Sequence, residues 1–69
     1  MKYADGELSQ EQIDAGLAAM GRQFDAFKVM AALRKAGVQQ IVPASERLIA
    51  RELKAGRITK VTQGIYRRS

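Results

Sequence analysis

PASERLIARELKAGRITKVTQGIYRRS, residues 43–69, decides the architecture of this chain, because it joins a helical pattern to a β pattern across a single glycine. Pro43 suits the first turn of a helix and favours an extended Val42 before it. From Ala44 to Ala55 the apolar Leu48, Ile49 and Leu53 share one side. At about 100° per residue, Arg47, Arg51 and Lys54 form a stripe on the opposite side, with Glu52 near the apolar edge as the discordant position. Gly56 ends this helix. Ile58–Val61 and Ile65–Arg68 are then β-prone pieces separated by Thr62, Gln63 and Gly64, a loop whose final glycine suits the left-handed residue of a hairpin turn. An isolated hairpin is marginal in water, so this one must pack on helices.

Upstream, Ser9 stands three residues before Gln12, the spacing of a capping box, and a helix from about Ser9 to Met20 carries Ile13, Leu17 and Met20 as an apolar stripe. A second helix, about Phe24 to Ala36, sets Phe27, Val29, Met30 and Leu33 against Asp25, Lys28 and Lys35, and Gly37 is placed to end it. If the chain breaks at Gly21, these are two helices. If it does not, Ile13, Leu17, Met20, Phe24 and Phe27 run on as one seam, available to the core or to a second copy of the chain. The run is shorter than the three or four heptads of a secure coiled coil, which favours the core. Val38–Val42 reads either as a short strand or as a loop clamped on the core. The expected fold is mainly α with a small C-terminal β-hairpin: a polar N-terminal arm over residues 1–8, then a single small domain over residues 9–69.

The charge distribution is lopsided. Residues 1–25 carry Lys2 and Arg22 against Asp5, Glu7, Glu11, Asp14 and Asp25, a net of −3, whereas residues 26–69 carry ten cations against Glu46 and Glu52, a net of +8. Such a basic half points to a polyanionic partner, the bland counterpart being a solvated face with no ligand. A chain of 69 residues builds only a small core, which dimerisation would naturally supplement. With no cysteine there is neither a disulfide framework nor a zinc-thiolate site, and a reducing cytoplasm fits. The first residues lack a signal-peptide pattern, and no run approaches the roughly 20 apolar residues that span a bilayer, so a soluble cytoplasmic protein is expected. The absence of histidine and cysteine argues against an enzyme. Neither metal nor cofactor is expected, since the acids are dispersed and Gly16 and Gly21 lack the pattern of a nucleotide loop.

The order helix, helix, connection, helix, hairpin resembles the winged helix-turn-helix class of DNA-binding domains over about residues 9–68. PASERLIARELKAG sits where that class has its recognition helix, and RITKVTQGIYRR where it has its wing. The small phage excisionase and Cox-like regulators are similar in size and in their helix-then-hairpin ending. One departure is that Gly37 to Pro43 is longer than the tight turn of many helix-turn-helix units. The resemblance implies a third helix in the major groove of double-stranded DNA, with side chains near its start at the base edges. Ser45 and Arg47 stand there, and the resemblance makes Arg47 and Arg51 the candidate specificity residues, because arginine grips guanine through two hydrogen bonds. Lys54, Arg57, Lys60, Arg67 and Arg68 would hold phosphates. The bland reading of the same residues is a solvated helix face with Glu–Arg pairs. Tyr66 either stacks beside the wing or packs, packing being commoner, and Met20, Met30, Phe24 and Phe27 follow helical spacing into a core.

The function expected from these readings is a small sequence-specific DNA-binding transcriptional regulator, acting as a homodimer. Two alternatives stand beside it. A phage-type protein-interaction or inhibitor module would meet a host protein through the Ile13 to Phe27 seam. An RNA-binding module is suggested because LKAGRITKVTQG resembles a helix-glycine-strand ending known from ribosomal proteins and pseudouridine synthases, although Ser45, Arg47 and Ala50 match it only with a one-residue slip. A membrane surface is disfavoured by Glu46 and Glu52 and by the lack of a large aromatic face.

Overall fold

The computed structural model describes residues 2–3 and 6–68. Along the chain lie β1 (Lys2–Tyr3), β2 (Gly6–Glu7), α1 (Gln10–Ala19), β3 (Gln23–Asp25), α2 (Ala26–Lys35), α3 (Ile41–Lys54), β4 (Ile58–Thr62) and β5 (Ile65–Arg68). The fold is thus three helices followed by a C-terminal antiparallel hairpin, as expected.

Local chemistry starts α1 where its sequence places it. The Ser9 hydroxyl accepts the Gln12 N–H at 3.1 Å and the Gln12 side-chain oxygen accepts the Ser9 N–H at 2.9 Å, a reciprocal capping box. Leu8, just before the cap, and Ile13, four residues into the helix, are both buried, the pair that forms a hydrophobic staple. Leu8 therefore belongs to the core and not to a polar arm. Of the rest of that arm, β1 pairs antiparallel with β2, while Met1, Ala4 and Asp5 lie outside the described residues.

The single long helix does not form. α1 stops at Gly21, and Gln23–Asp25 becomes a strand that pairs with β5. Phe24 is buried on this strand, its ring centroid 6.0 Å from that of Tyr66. The helical phase restarts at Asp25, whose carboxylate caps α2 by accepting the Lys28 N–H at 2.8 Å. Val29 and Leu33 consequently face inward. Phe27, two positions before Val29 and roughly 200° round the helix from it, is 77% exposed. Its placement in the core is corrected: Ile13, Leu17 and Phe24 are core, Met20 packs partly buried against it, and Phe27 stands outside.

α3 begins at Ile41, earlier than the expected Ala44, so Val38–Val42 is not a strand. Pro43 is then the third helical residue, and its missing N–H is one the first turn leaves unpaired in any case. The connection shrinks to Ala36–Gln40, shorter than the sequence suggested. Val38 is buried in it, with its N–H donating to the Leu33 carbonyl at 3.0 Å. The core, built on Leu17, Phe24, Val29, Leu33, Leu48 and Ile58, lies between the helices and a three-stranded sheet of order β3-β5-β4. The third strand, β3, ties the hairpin to the segment that leads into α2.

Candidate nucleic-acid interface

The outward face of α3 is set by what the helix buries. Ala44, Ser45, Leu48, Ile49 and Glu52 point into the molecule. Pro43, Arg47, Ala50 and Lys54 are exposed and fall within an arc of roughly 60° on the far side. Glu46 borders this arc on one edge and Arg51 on the other. Ser45 does not take part. It is 3% exposed and its hydroxyl donates to the Val42 carbonyl at 2.8 Å, so its expected role at a base edge is corrected to a packing one.

On the edge toward α1 the cations are held by the protein. Glu52 is fully buried, and Arg57 reaches it with Nε at 3.0 and 2.9 Å from the two carboxylate oxygens and Nη2 at 2.7 Å from one of them. Those bonds to Glu52 raise the Arg57 guanidinium above its ordinary value against a smaller opposing effect of desolvation, and the Glu52 and Asp14 charges add to the rise. The Gln10 side-chain oxygen accepts from Arg51 Nη2 at 3.0 Å and from Arg57 Nη2 at 3.4 Å, while its nitrogen donates to Asp14 at 3.0 Å. Arg57 is therefore the counter-ion of a buried acid, with 40% of its side chain still exposed. Arg51 leans toward α1, although it remains exposed.

The opposite edge of α3 meets the hairpin. Tyr66 lines a groove with Ala26, Met30, Glu46, Ala50 and Leu53. The register pairs Phe24, Tyr66 and Lys60 in one row and Gln23, Arg67 and Thr59 in the next. Paired residues share a sheet face and successive residues alternate, so Lys60 stands on the face of Tyr66 while Arg67 stands on the other. Arg68 lies at the end of β5, its N–H donating to the Arg22 carbonyl at 2.8 Å, beside Asp14 and Arg57. The structure thus brings Arg47 and Lys54 onto one helical face and sets Lys60 on the hairpin beside that helix. Ser45 is buried, Arg57 is paired with Glu52, Arg67 is on the far sheet face, and Arg68 is displaced toward α1.

Of the residues that organise this surface from behind, Glu52 stands out in sequence as the discordant acid near the apolar edge of its helix, whereas Gln10 does not. Gln10 carries no signal of its own. For the pairing of Glu52 the signal is its position three residues before Ala55, with Arg57 just beyond Gly56. Among the described residues there is no cluster of three or more acidic, histidine or cysteine side chains able to hold a metal ion, and no helix is long and apolar enough to cross a membrane. Compared with protein-family models, with curated proteins and with solved structures, the chain matches none.

Proposed function

We propose that the protein is a small sequence-specific DNA-binding regulator in which α3 enters the major groove and the β4–β5 hairpin lies along the adjacent backbone. The observation that carries this reading is the exposed arc of Pro43, Arg47, Ala50 and Lys54, interrupted by no acid and flanked by a hairpin that is anchored to the core by β3. The short Ala36–Gln40 connection between α2 and α3 also favours a helix-turn-helix over the longer loop the sequence suggested. Arg47 is the base-reading residue, and Lys54 and Lys60 hold phosphates, with Arg51 as a contact at the margin. No catalytic step is implied.

The test is selection of bound sequences from labelled random duplex DNA across a salt series. One enriched motif surviving near physiological salt is the expected result, and Arg47→Ala should relax the preference at one position by about 1–3 kcal/mol while the protein stays folded. Weak binding that enriches nothing and vanishes with salt would reduce the surface to generic electrostatics. Parallel competition with duplex RNA distinguishes the RNA reading, because the deep, narrow major groove of A-form RNA does not admit a helix.

A further inference from the structure

The proposed DNA surface leaves one conspicuous side of the molecule unused. Phe27, Met30, Ala31 and Arg34 recur along α2 at the spacing i, i+3, i+4, i+7, which places them on one stripe of the helix. Phe27 is 77% exposed, Met30 is half-buried, and together with Lys35 and Ile41 at the start of α3 they line an open groove. An aromatic side chain that stays in water while its neighbours Val29 and Leu33 are buried contributes nothing to this core.

The charge around the stripe selects its partner. Between Asp25 and Glu46 the chain carries Lys28, Arg34 and Lys35 and no acid. All three cations are exposed, and among the described residues none is in an ion pair. Two copies meeting face to face here would set these cations against each other, which disfavours a symmetric dimer through this face. A nucleic-acid backbone would satisfy the cations but strand Phe27 against phosphate. The remaining chemistry is apolar in the middle and anionic at the margins. We infer that the Phe27–Arg34 stripe of α2 is a docking surface for an acidic amphipathic helix of a partner protein, whose apolar side chains cover Phe27 and Met30 and whose carboxylates meet Arg34 and Lys35.

The probe is a displayed library of random 16-residue peptides selected on the wild-type protein and counter-selected on a Phe27→Ser/Arg34→Glu variant. Both positions are exposed, so the variant should melt as the wild type does, which a thermal scan checks first. The expected result is enrichment of helical peptides with apolar residues at i, i+3 or i+4 and i+7 flanked by Asp and Glu. A synthetic version should lose about 10-fold or more in affinity on Phe27→Ser and lose affinity again as salt rises. Peptides that lack acids, or an empty selection, would overturn the inference. Two other outcomes would also overturn it. A dimer in sedimentation that Phe27→Ser dissociates would make a second copy the occupant, and a loss of duplex DNA binding in the double variant equal to that of Arg47→Ala would assign the face to nucleic acid.

Discussion

α2 and α3 end in the same backbone figure but close it with opposite chemistry. In each, a glycine in the left-handed region follows the last residue of helical conformation: Gly37 at φ 91° and Gly56 at φ 76°. Each glycine N–H donates back to the helix, to Arg34 and to Leu53 respectively, and the next N–H reaches further back, Val38 to Leu33 and Arg57 to Glu52, both at 3.0 Å. This is the Schellman motif, in which an apolar contact usually joins the two outermost residues. α2 obeys, with Leu33 and Val38 both buried. At the end of α3 the same two positions hold Glu52 and Arg57, and an ion pair replaces the apolar contact. A cation's availability thus depends on whether a buried acid lies within its reach. Arg57 lies in the most basic stretch of the chain, yet its Nε and Nη2 are engaged by a carboxylate inside the molecule.

The apolar ending should fail gradually and the charged one abruptly. Arg57→Ala leaves the fully buried Glu52 carboxylate without its guanidinium, the most costly way to break such a pair, so the melting temperature should fall by roughly 10 °C or more. Because apolar replacement of a whole buried pair is often neutral or better, adding Glu52→Leu to Arg57→Ala should recover most of the loss. Failure of the double variant to recover would mean that the pair fixes the helix ending itself. The raised guanidinium gives the sign of the pH dependence. A cation whose folded value lies above its unfolded one contributes fully below the unfolded value and fades only above it. The Arg57 side of the pair therefore stays in force through the alkaline range in which the protein can be handled, and no alkaline loss of stability should trace to it.

At the other ending, Val38→Ala removes buried methyl groups but strands no charge, and should cost about 1–2 kcal/mol by chemical denaturation. Lys60, unlike Arg57, is in no ion pair among the described residues. Lys60→Ala should leave stability nearly unchanged but lower the slope of log binding constant against log salt by about one, with DNA binding weakened evenly across sequences. Arg57→Ala should do the reverse at temperatures where it is folded, changing stability and leaving the salt slope alone. If the slope falls equally in both variants, Arg57 touches phosphate in the complex and its bond to Glu52 is exchanged on binding.

How far the fold could be read in advance depended on whether the cause was local. Ser9 and Gln12 set the start of α1, Gly21 broke the long helix, and Thr62–Gly64 turned the hairpin, each through interactions spanning a few residues. β3 was hidden because Gln23–Asp25 is only three residues long and its partner β5 lies some 40 residues away in sequence. Phe24 and Phe27 are three apart, a helical spacing that arises here by coincidence, since one is on a strand and the other on the helix after it. Pro43 misled in the other direction: its effect on Val42 suggested an extended residue, whereas Ile41 packs partly buried against the core and the helix extends back to meet it. For the site, the cation stripe on α3 was legible from its period. The withdrawal of Ser45 was not, because its burial exists only in three dimensions; the Glu52–Arg57 pair is local to the helix ending, but the tie from Arg57 to Gln10, 47 residues away, has no local signal.

That long-range contact supports the smallest prediction. Gln10 is the first residue of α1, and its side-chain oxygen receives both Arg51 and Arg57, so it ties the start of one helix to the charged ending of another. The bonds are exposed and one is long, at 3.4 Å, so Gln10→Ala should cost only about 0.5–1 kcal/mol. Its distribution is the informative part. Amide exchange should quicken in α1, which loses its tether, while α2, closed by its own apolar contact, should stay as protected as before. Equal quickening in both helices would mean that the two endings belong to one cooperative unit and that their different chemistry has no separate consequence. Confinement of the change to α1 would instead show that the charged ending stabilises the helix packed beside it, a role that the apolar ending does not share.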